Sequence, residues 1–162
     1  MVSVLRPFAP CIVAVGARAT LGQSALQLAM CARARKLVPS TTLVRDKRGH
    51  LIGACPAWGL PRDLQGYERL LALAAPALRE AGGELHGKVP LLLALPAPGR
   101  PDDDPRIDTQ LVADLAEQSG VSLDVERSAL FRTGQAGFAA ALGEGLRRIR
   151  SGEARVLLVG GA

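Results

Sequence analysis

Ser128-Ala-Leu-Phe-Arg132, Thr133-Gly-Gln-Ala-Gly137, the run from Phe138 to Arg150, and Ser151-Gly-Glu-Ala-Arg-Val-Leu-Leu-Val-Gly160 together decide how this chain is read. A short apolar run, a glycine-flanked pentapeptide, a proline-free stretch, a Ser-Gly stop and an aliphatic run spell strand, tight turn, helix and strand. The strands are read over Ser128–Arg132 and Arg155–Gly160, and the helix over about Ala136–Arg150. A helix that joins two neighbouring strands returns the chain to the end it left, so the two strands run parallel. The helix itself is unusual. Ala136, Gly137, Phe138, Ala139, Ala140, Ala141, Leu142, Gly143, Gly145 and Leu146 are small or apolar on nearly every face. A helix apolar all round is a buried helix. One sheet covers one side of it, so the other side calls for a second surface.

Upstream, the same alternation continues. Val89–Leu95 is an aliphatic run that reads as a buried strand, with Pro90 tolerable near its start. A helix is predicted over Ile107–Ser119, stopped by Gly120, and another over Gly66–Ala81, stopped by Gly82-Gly83. Thr41–Ala54 reads as a hairpin turning around Asp46–Gly49. Pro56, Trp58 and Pro61 mark an irregular stretch after it. Cys11–Gly16 is short and β-branched and predicts a further buried strand. It leads through the loop 17–22 to a helix over about Gln23–Lys36, with Ala25, Leu26, Leu28, Ala29 and Ala32 on its inner faces. Strands alternating with helices predict an α/β layered domain with a largely parallel sheet and helices on both faces, in one unit over residues 1–162.

Composition narrows the function classes. Aromatics are only 3% of the 162 residues while 48% are hydrophobic, so the core is built from Ala, Leu and Gly. The net charge is +5, but the arginines scatter in small clusters with no aromatic interleaving. They read as solvated helix faces and ends, and no nucleic-acid partner is expected. Cys11, Cys31 and Cys55 are odd in number and far apart, which argues against a disulfide framework or zinc site and for a reducing cytoplasm. Met1–Pro10 holds no basic stretch followed by an apolar run, and no segment reaches the ~18 apolar residues of a membrane span.

Three places could carry chemistry. The loop Gly16-Ala-Arg-Ala-Thr-Leu-Gly22 joins strand to helix, but it lacks the Gly-Lys-Ser/Thr ending of a phosphate loop and the spacing of a dinucleotide fingerprint. Asp102, Asp103 and Asp104 sit in a proline-rich loop without the glycine and further ligands of a calcium motif. They read as a solvated surface loop, and no metal or other cofactor is expected. The third place is the turn at Thr133–Gly137. A strand, a sharp glycine turn and a helix N-terminus is how several folds present a nucleophile. The presented residue here is Gln135, whose neutral amide cannot be deprotonated to a nucleophile. Thr133 lacks a visible base and reads as a helix-capping hydroxyl.

Thr133-Gly-Gln-Ala-Gly137, with Gly143-Glu-Gly-Leu-Arg-Arg-Ile-Arg-Ser-Gly-Glu-Ala-Arg-Val-Leu-Leu-Val-Gly-Gly161 after it, resembles the nucleophile region of β-ketoacyl synthases. In that family a cysteine opens the helix, an Ile-Arg-x-Gly-(Glu/Asp)-Ala stretch ends it, and a strand follows that ends in Gly-Gly. Counting back from Ile149 and Gly152 places the family's cysteine on Gln135, beside Thr133 and Gly134. Ile12–Gly16 with Thr20-x-Gly22 is similar to the family's opening strand and its Thr-Pro-x-Gly loop, with Leu21 in place of the proline. The resemblance implies the N-terminal half of the thiolase fold. It also implies that the two catalytic histidines lie in a C-terminal half beyond these residues; neither His50 nor His86 takes that role.

Glutamine at this position implies one of two things within the family. Decarboxylating loading synthases of polyketide assembly lines carry it and act on malonyl-type thioesters with the histidines retained. Chain-length-factor subunits carry it as non-catalytic partners of an active synthase. Thiolase-like proteins without the cysteine also resemble ones associated with bacterial type VI secretion loci, where they accompany effector-loading proteins. The expectation is therefore a non-catalytic module that binds a protein: a second copy, a longer thiolase-like chain, or a secretion effector or adaptor. Phe138 and Leu142 are expected at the contact because they lie on the side of the helix that its own sheet leaves uncovered, and Phe131 because the family pairs the strand at 128–132 with its symmetry mate across a dimer.

Overall fold

A computed structural model describes residues 9–36, 40–55, 57, 59–61, 63–101 and 103–162. The described chain is an α/β protein. In order it forms α1 (Ala25–Arg33), β1 (Ser40–Arg45), β2 (Leu51–Ala54), α2 (Gly66–Gly82), β3 (Leu91–Ala94), α3 (Arg106–Thr109), α4 (Leu111–Ser119), β4 (Ala129–Phe131), α5 (Gly137–Arg150) and β5 (Leu158–Gly161). A 3-10 turn, Gly134–Ala136, joins β4 to α5.

The centre is a parallel three-stranded sheet in the order β4-β3-β5. Leu92 lies opposite Ala129 on one side and Val159 on the other. Parallel sheets are buried on both faces and read as continuous aliphatic runs. β3 obeys this rule, since every residue from Leu91 to Leu95 is buried. Leu91, Leu93 and Leu95 pack with Tyr67, Leu71, Ala75 and Leu78 of α2 and with Leu111 and Leu115 of α4. On the other face, Leu92 and Val159 meet Gly145 of α5. The result is α2 and α4 on one side of the sheet and α5 on the other.

The helix predicted as one piece over Ile107–Ser119 is two. Gln110, at φ −125°, breaks it, and α4 resumes at Leu111 so that Leu111 and Leu115 face the core. Gly120 ends α4 at φ +73°, as its position predicts. The hairpin forms as read, antiparallel, with the Asp46 carboxylate accepting from the N–H groups of Arg48 and His50 across the turn. It stands as a separate two-stranded sheet. Pro56 and Trp58 lie outside the described residues.

Two expectations near the start fail. Cys11–Gly16 is not a buried strand: it forms no secondary structure, with Ile12 86% and Val13 76% exposed. The inner faces predicted for the first helix are not buried either, and Leu26 and Met30 lie open. An amphipathic helix needs a face to cover, and α2, α4 and α5 already cover both faces of the sheet around β3. The segment 11–16 pairs with neither outer edge of that sheet. The early segments are held by polar contacts instead. The Glu80 carboxylate of α2 accepts from the N–H of Ala17 at 3.0 Å and from the N–H of Ala25 at 3.0 Å. Thr20 donates to the carbonyl of Cys55.

Candidate functional site

The turn at the head of α5 is built by close approach. A Cβ at Gly137 would stand 2.8 Å from the Phe131 carbonyl and 3.2 Å from the Ala94 Cβ, so only glycine lets the helix start this near the strand ends. Gly134 adopts φ +62°, which turns the chain out of β4. Between them Gln135 is exposed, on the 3-10 turn rather than in the helix. The Thr133 hydroxyl does not cap the helix. The inserted 3-10 turn carries it off the first turn of α5, and it lies beside Gly137 instead.

Gln135 borders an open cleft of about 320 Å³ across the carboxyl ends of the strands. Ala94, Arg100, Phe138 and Gly161 complete the walls that bear on it. A cleft at the carboxyl ends of parallel strands is the usual ligand position in α/β sheets. Sequence reading places Gln135, Gly134 and Phe138 together here but misses Arg100 and Gly161, since only sheet order brings strands β3 and β5 side by side.

The three expected contact residues divide. Phe138 is 50% and Leu142 42% exposed, on the outer side of α5, whereas Phe131 is half-buried in β4 opposite Ala94. The inner side of α5 is Gly137, Ala141 and Gly145, all buried. β4 is an edge strand of the three-stranded sheet.

The aspartate loop is not the solvated segment that its composition suggests. Asp103 pairs with Arg132, which also reaches Asp108 at 2.7 Å. Asp104 pairs with Arg106 at 2.8 Å, and Arg106 reaches Glu68 at 2.9 Å and lies over the Tyr67 ring. Tyr67 donates to Asp114 at 2.6 Å; burial, with Asp114 beside it, pushes its hydroxyl well above the usual phenol range. The Gly99 N–H and Arg132 hold the Asp103 carboxyl below its ordinary value, and Arg106 does the same for Asp104. Two arginines thus consume these carboxylates and clamp the loop to the ends of β4 and α2. Asp102 lies outside the described residues. Among the described residues no three His, Cys, Asp or Glu side chains gather as a metal site would need. In the Gly16–Gly22 loop, the Glu80 carboxylate accepts from the N–H of Ala17. No helix among the described residues is long and apolar enough to cross a membrane.

Compared with known protein families, with curated proteins and with solved structures, the chain matches none of them.

Proposed function

We propose that this chain is a non-catalytic module of the thiolase-fold, ketoacyl-synthase-like kind, which binds a protein partner through the outer side of α5 and the edge at β4. One observation carries the reading. The turn that presents a side chain at a strand-to-helix junction presents the amide of Gln135, and the helix behind it leaves Phe138 and Leu142 open to solvent. An amide in place of a thiolate removes covalent acyl transfer. An exposed apolar helix face beside it is what protein contact sites look like. The partner is a second copy or a longer thiolase-like chain, and effector loading in type VI secretion is the setting that the resemblance suggests. The unpaired Cys11–Gly16 segment departs from the family's opening strand.

The test has two arms. Incubation with a long-chain acyl thioester followed by intact-mass measurement should give no stoichiometric adduct; an adduct on any residue sinks the non-catalytic reading. Gln135→Cys should still give no condensation, because neither His50 nor His86 lies in the cleft. A second reading, decarboxylation of a malonyl-type thioester, has the cleft in its favour, since an amide and the Arg100 cation share its wall. Carbon dioxide release from a malonyl thioester, with a histidine-bearing partner present, would favour it over the first.

A further inference from the structure

The sheet has a second edge, at β5, on the opposite side from β4. No described residue pairs with the outer edge of β5. Leu158-Val-Gly-Gly161 carries no charge, proline or bulge, the devices by which proteins protect an edge. The chain also holds a strand-like segment, residues 11–15, that forms no secondary structure. Ile12, Val13 and Val15 are β-branched and exposed, and the backbone groups of residues 11–15 have no protein partner among the described residues.

The two features are neighbours. Gly16 presses against the backbone of Ala77 and Ala81 so closely that a Cβ would not fit. The next residue of α2, Gly82, faces Leu158, the first residue of β5, at 3.3 Å from where its Cβ would be. An extended run of residues 9–15 reaches roughly 23 Å at about 3.3 Å per residue. That exceeds the length of β5, so the edge of its own sheet is in reach, yet the segment does not take it.

We propose that residues 11–15 add as a strand to the free edge of β5 in a second copy of this chain, and that the second copy returns the same contact. A two-fold axis makes such an exchange self-complementary and closed. Main-chain hydrogen bonds supply the pairing, as in other strand additions. A five-residue strand covers less than the roughly 800 Å² per partner of a stable interface, so the α5 patch completes it. Phe138 lies 3.8 Å from the Cβ position of Gly161, which makes the two surfaces continuous. For this completion alone the inference rests on the partner-binding reading of α5.

The experiment combines light scattering after size exclusion with amide exchange at low and high protein concentration. Wild type should dimerise, and exchange at residues 11–15 and 158–161 should slow as concentration rises. Val13→Pro removes an N–H and forbids strand pairing; it should weaken the dimer about tenfold or more while circular dichroism and the melting midpoint of the monomer stay unchanged, because Val13 is 76% exposed and its backbone has no partner among the described residues. Protection that does not depend on concentration would mean pairing within one chain and would overturn the proposal. So would a monomeric wild type, or a Val13→Pro protein that dimerises as wild type does. The two contacts separate cleanly. If Phe138→Asp is monomeric and Val13→Pro dimeric, the strand exchange falls and the α5 contact stands; the reverse result leaves the strand exchange and removes the α5 contact.

Discussion

Single residues decide how the head of α5 is assembled. The hydrogen of Gly137 faces the Phe131 carbonyl, so any side chain must push α5 off the strand ends. Gly137→Val should cost ~1–3 kcal/mol of stability, the usual range for overpacking, read as a lower urea midpoint at unchanged slope. At the other end of the same helix, Arg147 and then Arg148 hydrogen-bond Glu144 and hold its carboxyl down to about 2, from an ordinary 4.5. A carboxyl depressed on folding contributes stability above its unfolded value and loses it as the pH falls through the folded one. The same direction holds for Asp103 and Asp104. Stability should therefore fall as the pH drops from about 4.5 towards about 2, and Glu144→Gln should flatten that part of the urea-midpoint profile. A profile identical to wild type would show that the Glu144 pairs contribute nothing measurable.

Elements differ in what holds them. α5 has an inner side of Gly137, Ala141 and Gly145 that lets it lie close on the sheet, and an outer side on which Phe138 and Leu142 are about half exposed. Ala141→Leu should therefore cost ~1–3 kcal/mol, whereas Phe138→Asp should stay within about 0.5 kcal/mol of wild type as a monomer and lose only association. Equal effects from the two would mean that the helix is not oriented as described. α1 is the opposite case. It buries no residue, and Ser24 and Glu80 supply polar anchors at its start. Glu80→Ala should raise amide exchange through residues 25–33 while leaving the core of α2, β3 and α4 protected.

At the scale of the molecule, the apolar surface is distributed unevenly. The core residues all fall between Tyr67 and Ala154, while most of the exposed large hydrophobics, from Ile12 to Ile52, lie before α2. Those early residues are held by hydrogen bonds and carry apolar side chains that the core does not reach. Burying them under a second surface would add stability. If it associates, mass action makes the melting midpoint rise with protein concentration. A calorimetric midpoint that is constant over a hundredfold concentration range, with light scattering at monomer mass, would remove the partner from the account of this protein.

The aliphatic runs Val89–Leu95 and Arg155–Gly160, the glycine stop at Gly120, the Asp46–Gly49 turn and the Thr133–Gly137 elbow were legible in the sequence, because each rests on local physics: a buried period, a left-handed residue, a turn. The sequence led to the expectation that α5 is buried all round; the structure buries only Gly137, Ala141 and Gly145, and Glu144, Arg147 and Arg148 pair on its surface. What the sequence could not supply was which apolar run obtains a partner. Cys11–Gly16 and Leu158–Gly161 have the same strand chemistry, but β4 and β5 take the two places beside β3, and Cys11–Gly16 pairs with neither of their outer edges. Whether Asp103 and Asp104 meet water or arginine was likewise decided only in three dimensions, where the end of β4 carries Arg132 to one and Arg106 folds back on the other. Periodicity sets what an element is; competition for a limited number of edges and faces sets whether it is buried.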